Sequence, residues 1–367
     1  MLKLKINKND ILPLMFCILT SIYYTLKGWK YNFGYLELFL GLGAFFGFLH
    51  IFRYMRTSIK SFIMLLPIMI VIVYRLSLNS DTRLAISLLA IFIGKSVDFN
   101  KISRWIFSTK TFVFIFALLI GGYDHKNYIA VNIGVLMFLE LYIYYEENKK
   151  RAMSIAIAMY MFAVMVSGSG AMIICAGVGL ILYMFLDIPF AKKYFFKKPI
   201  AFIFPFVLFI NWFLVVLYAA YGYANPHFYF IKKYVPAGLA TKLPVYMVGI
   251  NRFLSGRINL AAYSLEKFGV SLWGGNIDYS VDTGLPYFLI DSGMMLLIQD
   301  GGIILTIVLM IFLTFMMWKL VEKKEYFLII SGVVIALWAF NEDTLLSVGT
   351  NYMYFVLGGK LLNRKKE

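Results

Sequence analysis

Pro199 to Ala220 reads PIAFIFPFVLFINWFLVVLYAA, preceded by Lys197-Lys198 and holding no charge. A helix rising about 1.5 Å per residue needs roughly 20 such residues to cross about 30 Å of hydrocarbon. The run is not isolated. Apolar stretches recur at 10–26, 34–52, 61–77, 83–95, 111–122, 127–145, 152–168, 170–186, 302–320, 326–341 and 344–360. With 199–220 they predict about twelve transmembrane helices, the fourth and fifth short enough to tilt, thin the bilayer or re-enter. Alternating segments of roughly ten residues, the mark of a barrel, are missing. Of 367 residues, 61% are hydrophobic and 15% charged, and the mean hydropathy is +0.79. A soluble domain is about one-quarter charged. The expected fold class is an all-α polytopic membrane protein.

The net charge of +16 could suggest nucleic acid, but its distribution points to a membrane. Taking the connections in alternation, one set holds Lys3, Lys5, Lys8; Arg53, Arg56, Lys60; Lys95, Lys101, Arg104, Lys110; Lys149, Lys150, Arg151; Lys192, Lys193, Lys197, Lys198; Lys319, Lys323, Lys324; and Lys360, Arg364, Lys365, Lys366. That is 24 of the 35 Lys and Arg residues. By the positive-inside bias this set is cytoplasmic, with both termini on that side; some of it can also touch anionic membrane lipid. No nucleic acid is expected as a partner. No small-residue cleavage site follows the first apolar stretch, which reads as a retained span. Cys17 and Cys175 both lie in apolar runs and form no disulfide or metal pattern.

This reading divides the chain into helices one to nine over 1–220, a large extracytoplasmic loop over 221–301, and helices ten to twelve with a cytoplasmic tail over 302–367. The loop is too aromatic for disorder, with Tyr229, Tyr246, Phe253, Tyr263 and Trp273 among others. It is expected to fold into helices on the outer membrane face. Leu260, Ala261, Leu265 and Phe268 form a rough helical stripe within Asn259 to Phe268. Pro286 to Gln299 is apolar but holds Asp291, and Asp300-Gly301-Gly302 follows. It reads as an interfacial or re-entrant helix, because a continuous span would carry both aspartates into lipid.

Within the loop, Asn251-Arg252-Phe253-Leu254-Ser255-Gly256-Arg257 sets two arginines five apart beside a Ser-Gly turn. Guanidinium forks match phosphate oxygens, so Arg252, Ser255 and Arg257 form a candidate anion site. The plain alternative is two solvated loop charges. Asp291, Glu342 and Asp343 stand near outer span ends, where a carboxylate could take a proton from a sugar hydroxyl or merely sit at the interface. His125, beside Lys126 and Asn127, could shuttle a proton or serve as a structural hydrogen-bond donor. Glu37 and Glu140 fall in or at the ends of spans without a role to assign. Asp278 and Asp282 are too sparse for a metal site, and neither a P-loop nor a dinucleotide fingerprint is present. No cofactor and no metal are therefore expected.

These features together resemble the Wzy-type repeat-unit polymerases of capsule and O-antigen synthesis, in the O-antigen-ligase-like superfamily. Leu254-Ser255-Gly256-Arg257, then Ala261, Leu265, Phe268-Gly269 and Leu272-Trp273-Gly274, is similar to that family's loop pattern. Ile290-Asp291-Ser292 before Gly302-Ile303-Ile304 resembles its Asp-Asn … Gly-Ile-Ile stretch. His125-Lys126-Asn127 resembles its His-Pro-Asn turn, with lysine for proline, and Glu342 with Asn351 fits a Glu … Asn pair. Met294 stands where an aromatic is common, and arginines usual near Ser167-Gly168-Ser169-Gly170 and before the His125 turn are missing.

The resemblance implies a GT-C-like membrane glycosyltransferase in the bacterial cytoplasmic membrane. It implies undecaprenyl-diphosphate-linked glycans as donor and acceptor, a chain-length regulator as a further protein partner, and metal-independent transfer. Arg257 and Arg252 would hold the diphosphate, with Ser255, Asn127 and Trp273 on diphosphate or sugar. Asp291, Glu342 or His125 would orient or deprotonate the acceptor hydroxyl. Two other readings use similar architecture: a flippase or transporter of lipid-linked glycan, and a ligase that moves finished glycan to another acceptor. The concentration of polar residues in one loop favours surface chemistry over transport. Ligases of the superfamily usually carry a histidine deep in the loop, whereas His227 stands near its start.

Overall fold

The computed structural model describes residues 8–31, 34–54, 66, 70, 82–167, 170–221, 242–278, 280 and 290–362. Among these it contains eight helices long and apolar enough to cross a membrane, and two shorter apolar helices at 85–96 and 326–339. No strand occurs among the described residues. The protein is thus an all-helical, multi-pass membrane protein. Nearly all of the expected third span, 61–77, lies outside the described residues, as do Tyr223, His227, Asp282 and Tyr287.

Contacts divide the chain into two compact units. The first comprises Met1–Ala201, Phe315–Val334 and Ser347–Glu367. It holds α1 (Ile11–Leu26), α2 (Leu36–Tyr54), α3 (Thr82–Ser96), α4 (Phe99–Ile120), α5 (Lys126–Tyr144), α6 (Lys149–Ser167), α7 (Gly170–Met184) and α8 (Pro189–Tyr194). α1 packs against α2 and α4, and α5 against α6.

The fifth expected span, 111–122, needs correction. α4 begins at Phe99, where the Asp98 side chain caps the helix by accepting the Asn100 N–H. Lys101, Arg104 and Lys110 therefore belong to a helix and not to a connecting loop. Lys101 and Arg104, near its start, pair with Asp10 at 2.9 Å and Glu147 at 3.0 Å. Lys110 is fully buried, donating to Thr25 Oγ1 at 3.2 Å and Asn132 Oδ1 at 3.0 Å. An amine with such acceptors tolerates a site that a bare charge would not, which is why charge counting misplaced the helix start.

The twelfth expected span, 344–360, is also broken. A single 3-10 turn covers 343–346, and α15 (Met353–Leu362) begins only where Asn351 Oδ1 accepts the Met353 N–H at 3.2 Å. α15 is the main partner of α3. A Cβ added at Gly94 would stand 1.9 Å from the Phe355 carbonyl oxygen, and one at Gly358 would stand 1.8 Å from that of Ile91. Only glycine permits the two backbones to cross this closely.

The second unit comprises Phe202–Thr314 and Ile335–Leu346. Its scaffold is α9 (Ile203–Tyr221), which carries all but the first four residues of the Pro199–Ala220 run; those four lie in a 3-10 helix, Lys198–Phe202, just before it. α10 (Leu243–Phe253) lays Leu243, Met247 and Ile250 against Leu214, Leu217, Tyr218 and Tyr221 of α9. α11 (Arg257–Phe268) also packs on α9 and buries Ile258, Leu260, Ala261, Ala262 and Leu265, close to the expected stripe. α12 (Gly293–Gln299) is buried along its whole length. It stops before α13 (Gly302–Glu322), as the glycines foretell, with Gly302 at φ 83°. α14 (Tyr326–Ala339) contributes its last residues to this unit.

Candidate functional site

Asn251 to Asn259 fold as a helix, a turn and a helix. The Leu254 N–H bonds to Ile250, the Gly256 N–H to Asn251, and the Arg257 N–H to Leu254. Ser255 at φ 56° and Gly256 at φ 82° make the turn. Asn251 Oδ1 then accepts the Asn259 N–H at 3.0 Å, so one side chain caps α11 across the turn. The result fixes Arg257 as the first residue of α11.

Asp291 is placed by an independent set of bonds. Ser292 Oγ accepts the Met295 N–H as the cap of α12 and donates to Asn211 Oδ1 of α9 at 3.0 Å. Asn211 Nδ2 in turn donates to the Phe340 carbonyl at 2.9 Å, and the Gly293 N–H to the Glu342 carbonyl at 3.0 Å. The segment after α14 is thereby tied both to α9 and to the start of α12.

These constraints bring three expected residues into one cluster. Arg257 Nη1 donates to Glu342 Oε1 at 2.7 Å and also to the Asn341 carbonyl, while Nε stands 3.3 Å from Asp291 Oδ2. The Arg257 and Glu342 side chains are 13% and 14% exposed, and that of Asp291 is 25%. Burial pushes the Glu342 carboxyl up to about 7; Arg257 pulls it down, and Asp291 and Asp343 push it up further. The Asp291 carboxyl moves upward too, from burial first, then opposed by Arg257 and reinforced by Asp343. One guanidinium thus serves two carboxylates, so the fully ionised cluster carries a net negative charge. Near neutral pH it readily holds or gives up one proton on Glu342. No protein-family model, curated protein or solved structure matches this chain.

The other expected site residues fall elsewhere. Arg252 is exposed on α10 and makes no ion pair with a described residue; Ser255 is exposed in the turn. Trp273 is exposed in a loop strapped to the start of α13. There the Ile303 and Ile304 N–H groups bond to Ser271 and Leu272, and Gly274 backs directly onto Gly302. His125 precedes α5 and Asn127 lies in its first turn, both exposed and both in the first unit; the cluster is built within the second. Asn351, buried, belongs to the first unit as well.

Sequence reading missed the residues that hold the cluster in place. Asn211 is a lone amide in an otherwise apolar span, which is itself a signal. Gln299, buried beside Asp300, accepts from Ser264 Oγ and donates to the Gly269 carbonyl, joining α11 to α12. Asn251 opens the two-arginine motif, and residue type alone does not mark it as the side chain that caps α11.

Proposed function

We propose that this chain is a polymerase of undecaprenyl-diphosphate-linked oligosaccharide repeat units for a bacterial capsular or O-antigen polysaccharide. It transfers the growing chain en bloc to the non-reducing end of a fresh lipid-linked unit. In this reading the chain is a twelve-span, GT-C-like enzyme of the cytoplasmic membrane, with both termini in the cytoplasm and the 221–301 segment outside. The sequence resemblance supports the family. The observation that carries the chemistry is the half-buried Arg257–Asp291–Glu342 cluster.

The acceptor hydroxyl oxygen attacks the anomeric carbon of the growing chain. A new C–O bond forms, the bond to the diphosphate breaks, and undecaprenyl diphosphate leaves with the electron pair. Glu342, with its carboxyl near 7, takes the hydroxyl proton. Arg257 positions both carboxylates, and Asp291 orients the acceptor sugar. When Glu342 accepts the proton, the cluster becomes one charge less negative. Arg257 is then less compensated at the moment the leaving group gains charge, and this stabilises it. Glu342 therefore ranks above Asp291 and His125 as the base.

Transport is the second reading, favoured by the helix break between α12 and α13 and the broken segment before α15, since interrupted helices frame transporter sites. The deciding experiment is the size profile and membrane side of lipid-linked glycan in cells lacking this protein. Single repeat units stranded on the outer face are expected. Single units trapped on the inner face would mean a flippase, and long unattached chains would mean a ligase.

A further inference from the structure

α9 exposes Phe206, Phe209 and Phe213 at 59%, 61% and 47%, a stripe of large apolar side chains one helical face wide. The stripe ends there. Val215, Val216, Leu217, Ala219 and Ala220 are all buried. At this level α10 covers the helix, seating Leu243, Met247 and Ile250 on Leu214, Leu217, Tyr218 and Tyr221. The side of α10 turned away from α9 is apolar as well, with Val245 72%, Val248 51% and Phe253 74% exposed. The bilayer-facing surface of a membrane span therefore continues across the outside of a second, short helix.

One charged residue lies on that outer side. Val245, Val248 and Arg252 recur at helical spacing, opposite the buried Leu243, Met247 and Ile250. Arg252 has no acidic neighbour in sequence: from Ile188 to Leu265 the chain contains neither aspartate nor glutamate. Lys242 adds a second cation at the other end of the helix. An apolar face with cations and no anions fits the boundary between acyl chains and phosphates, where a long arginine side chain reaches up to the headgroup level.

We infer that α10 lies in the membrane interface with its outer face in lipid, and that Arg252 binds the phosphate of an anionic phospholipid. The two arginines of the motif then have separate tasks: Arg257 organises the carboxylates, and Arg252 anchors the preceding helix to the membrane surface. This assignment rests on the chain spanning a membrane and holds for any of the readings above.

The test uses the full chain in nanodiscs of phosphatidylcholine with phosphatidylglycerol. Nitroxide labels on Val248→Cys and, as a solvent-exposed reference, Glu266→Cys report depth, since native Cys17 and Cys175 are buried. The label at 248 is expected to meet oxygen in preference to a water-soluble nickel complex, and the label at 266 the reverse. Equal nickel access at the two positions would overturn the placement of α10. Native mass spectrometry then counts retained phosphatidylglycerol. Arg252→Gln should lower its binding constant about fivefold, the worth of one surface cation against anionic lipid. Unchanged retention would overturn the phosphate assignment. So would loss of retention seen with added polyprenyl diphosphate but not with phosphatidylglycerol.

Discussion

Replacing Glu342 by glutamine tests the proposed chemistry with little disturbance to packing, because the amide oxygen can still accept from Arg257. With a carboxyl near 7, about half of Glu342 is ionised at pH 7, about one-tenth at pH 6 and about nine-tenths at pH 8. A base works only when ionised. The wild-type transfer rate should therefore rise through pH 7 and fall about tenfold for each unit below it. General-base catalysis contributes roughly 10²- to 10⁴-fold, so Glu342→Gln should lose activity in that range and show no acid limb near 7. The assay is polymer formation from a synthetic lipid-linked repeat unit by the purified chain in nanodiscs, followed as a ladder across this pH range. A stability control separates the base from a merely structural carboxylate. Between 4.5 and about 7 the folded protein binds more protons at Glu342 than the unfolded chain does, so wild-type stability falls as pH rises through that window. Glutamine should flatten this slope. If the variant stays within about threefold of wild-type activity, well short of the general-base range, the assignment of the base is wrong. A surviving acid limb near 7 would show that a group other than Glu342 is the base.

Other parts of the structure make separate demands. Arg257→Ala leaves two half-buried carboxylates without their cation, so it should cost about 1–3 kcal/mol and lower the melting temperature of the solubilised protein, whereas Arg257→Lys should recover part of that loss. Polymer loss in Arg257→Ala must accordingly be read beside its melting curve; near-normal polymer length would refute the cluster's role. In the first unit, Asn132→Leu strips the buried Lys110 amine of one acceptor. It should reduce thermal stability more than Lys110→Met, because a buried amine left short of an acceptor keeps its N–H groups unsatisfied, whereas methionine is apolar and brings no donor to satisfy. Equal losses would mean that the network does not hold the helices together. Gly358→Ala places a methyl group against a backbone oxygen of α3 that no rotamer change can clear. Cysteine cross-linking between α3 and α15 should therefore fall, and unchanged cross-linking would refute the close crossing.

How far the sequence could be read depended on the range of the interaction. Long apolar runs encode spans locally, so the expected 127–145, 170–186 and 199–220 lie close to the helices found. α4 was read too short because Lys101, Arg104 and Lys110 look like loop charges, although Asp98 as a cap marked its true start. The expected span over 344–360 differs for the opposite reason: the stretch is apolar enough, but the buried Asn351 side chain accepts the Met353 N–H and the helix begins only there. Asp291 and Glu342 could be singled out by residue type and position near a span end, and Arg257 by its place beside the Ser-Gly turn of the long loop. Their assembly could not, because Arg257 and Glu342 are 85 residues apart, and the segments carrying Asp291 and Glu342 are held by Asn211 and Ser292, whose contacts have no periodicity to betray them.

The crossing of Gly94 and Gly358 also sets a timetable for biogenesis. α3 is short and leaves the ribosome early, while its partner helix is made roughly 260 residues later. At about 5–20 residues per second, α3 waits on the order of tens of seconds with its face around Gly94 not yet covered by α15. During that interval the nascent chain must be shielded by the insertion machinery or by neighbouring helices. A chain released before Met353 is made would leave that face uncovered, and membrane quality control would have an unfinished surface to recognise.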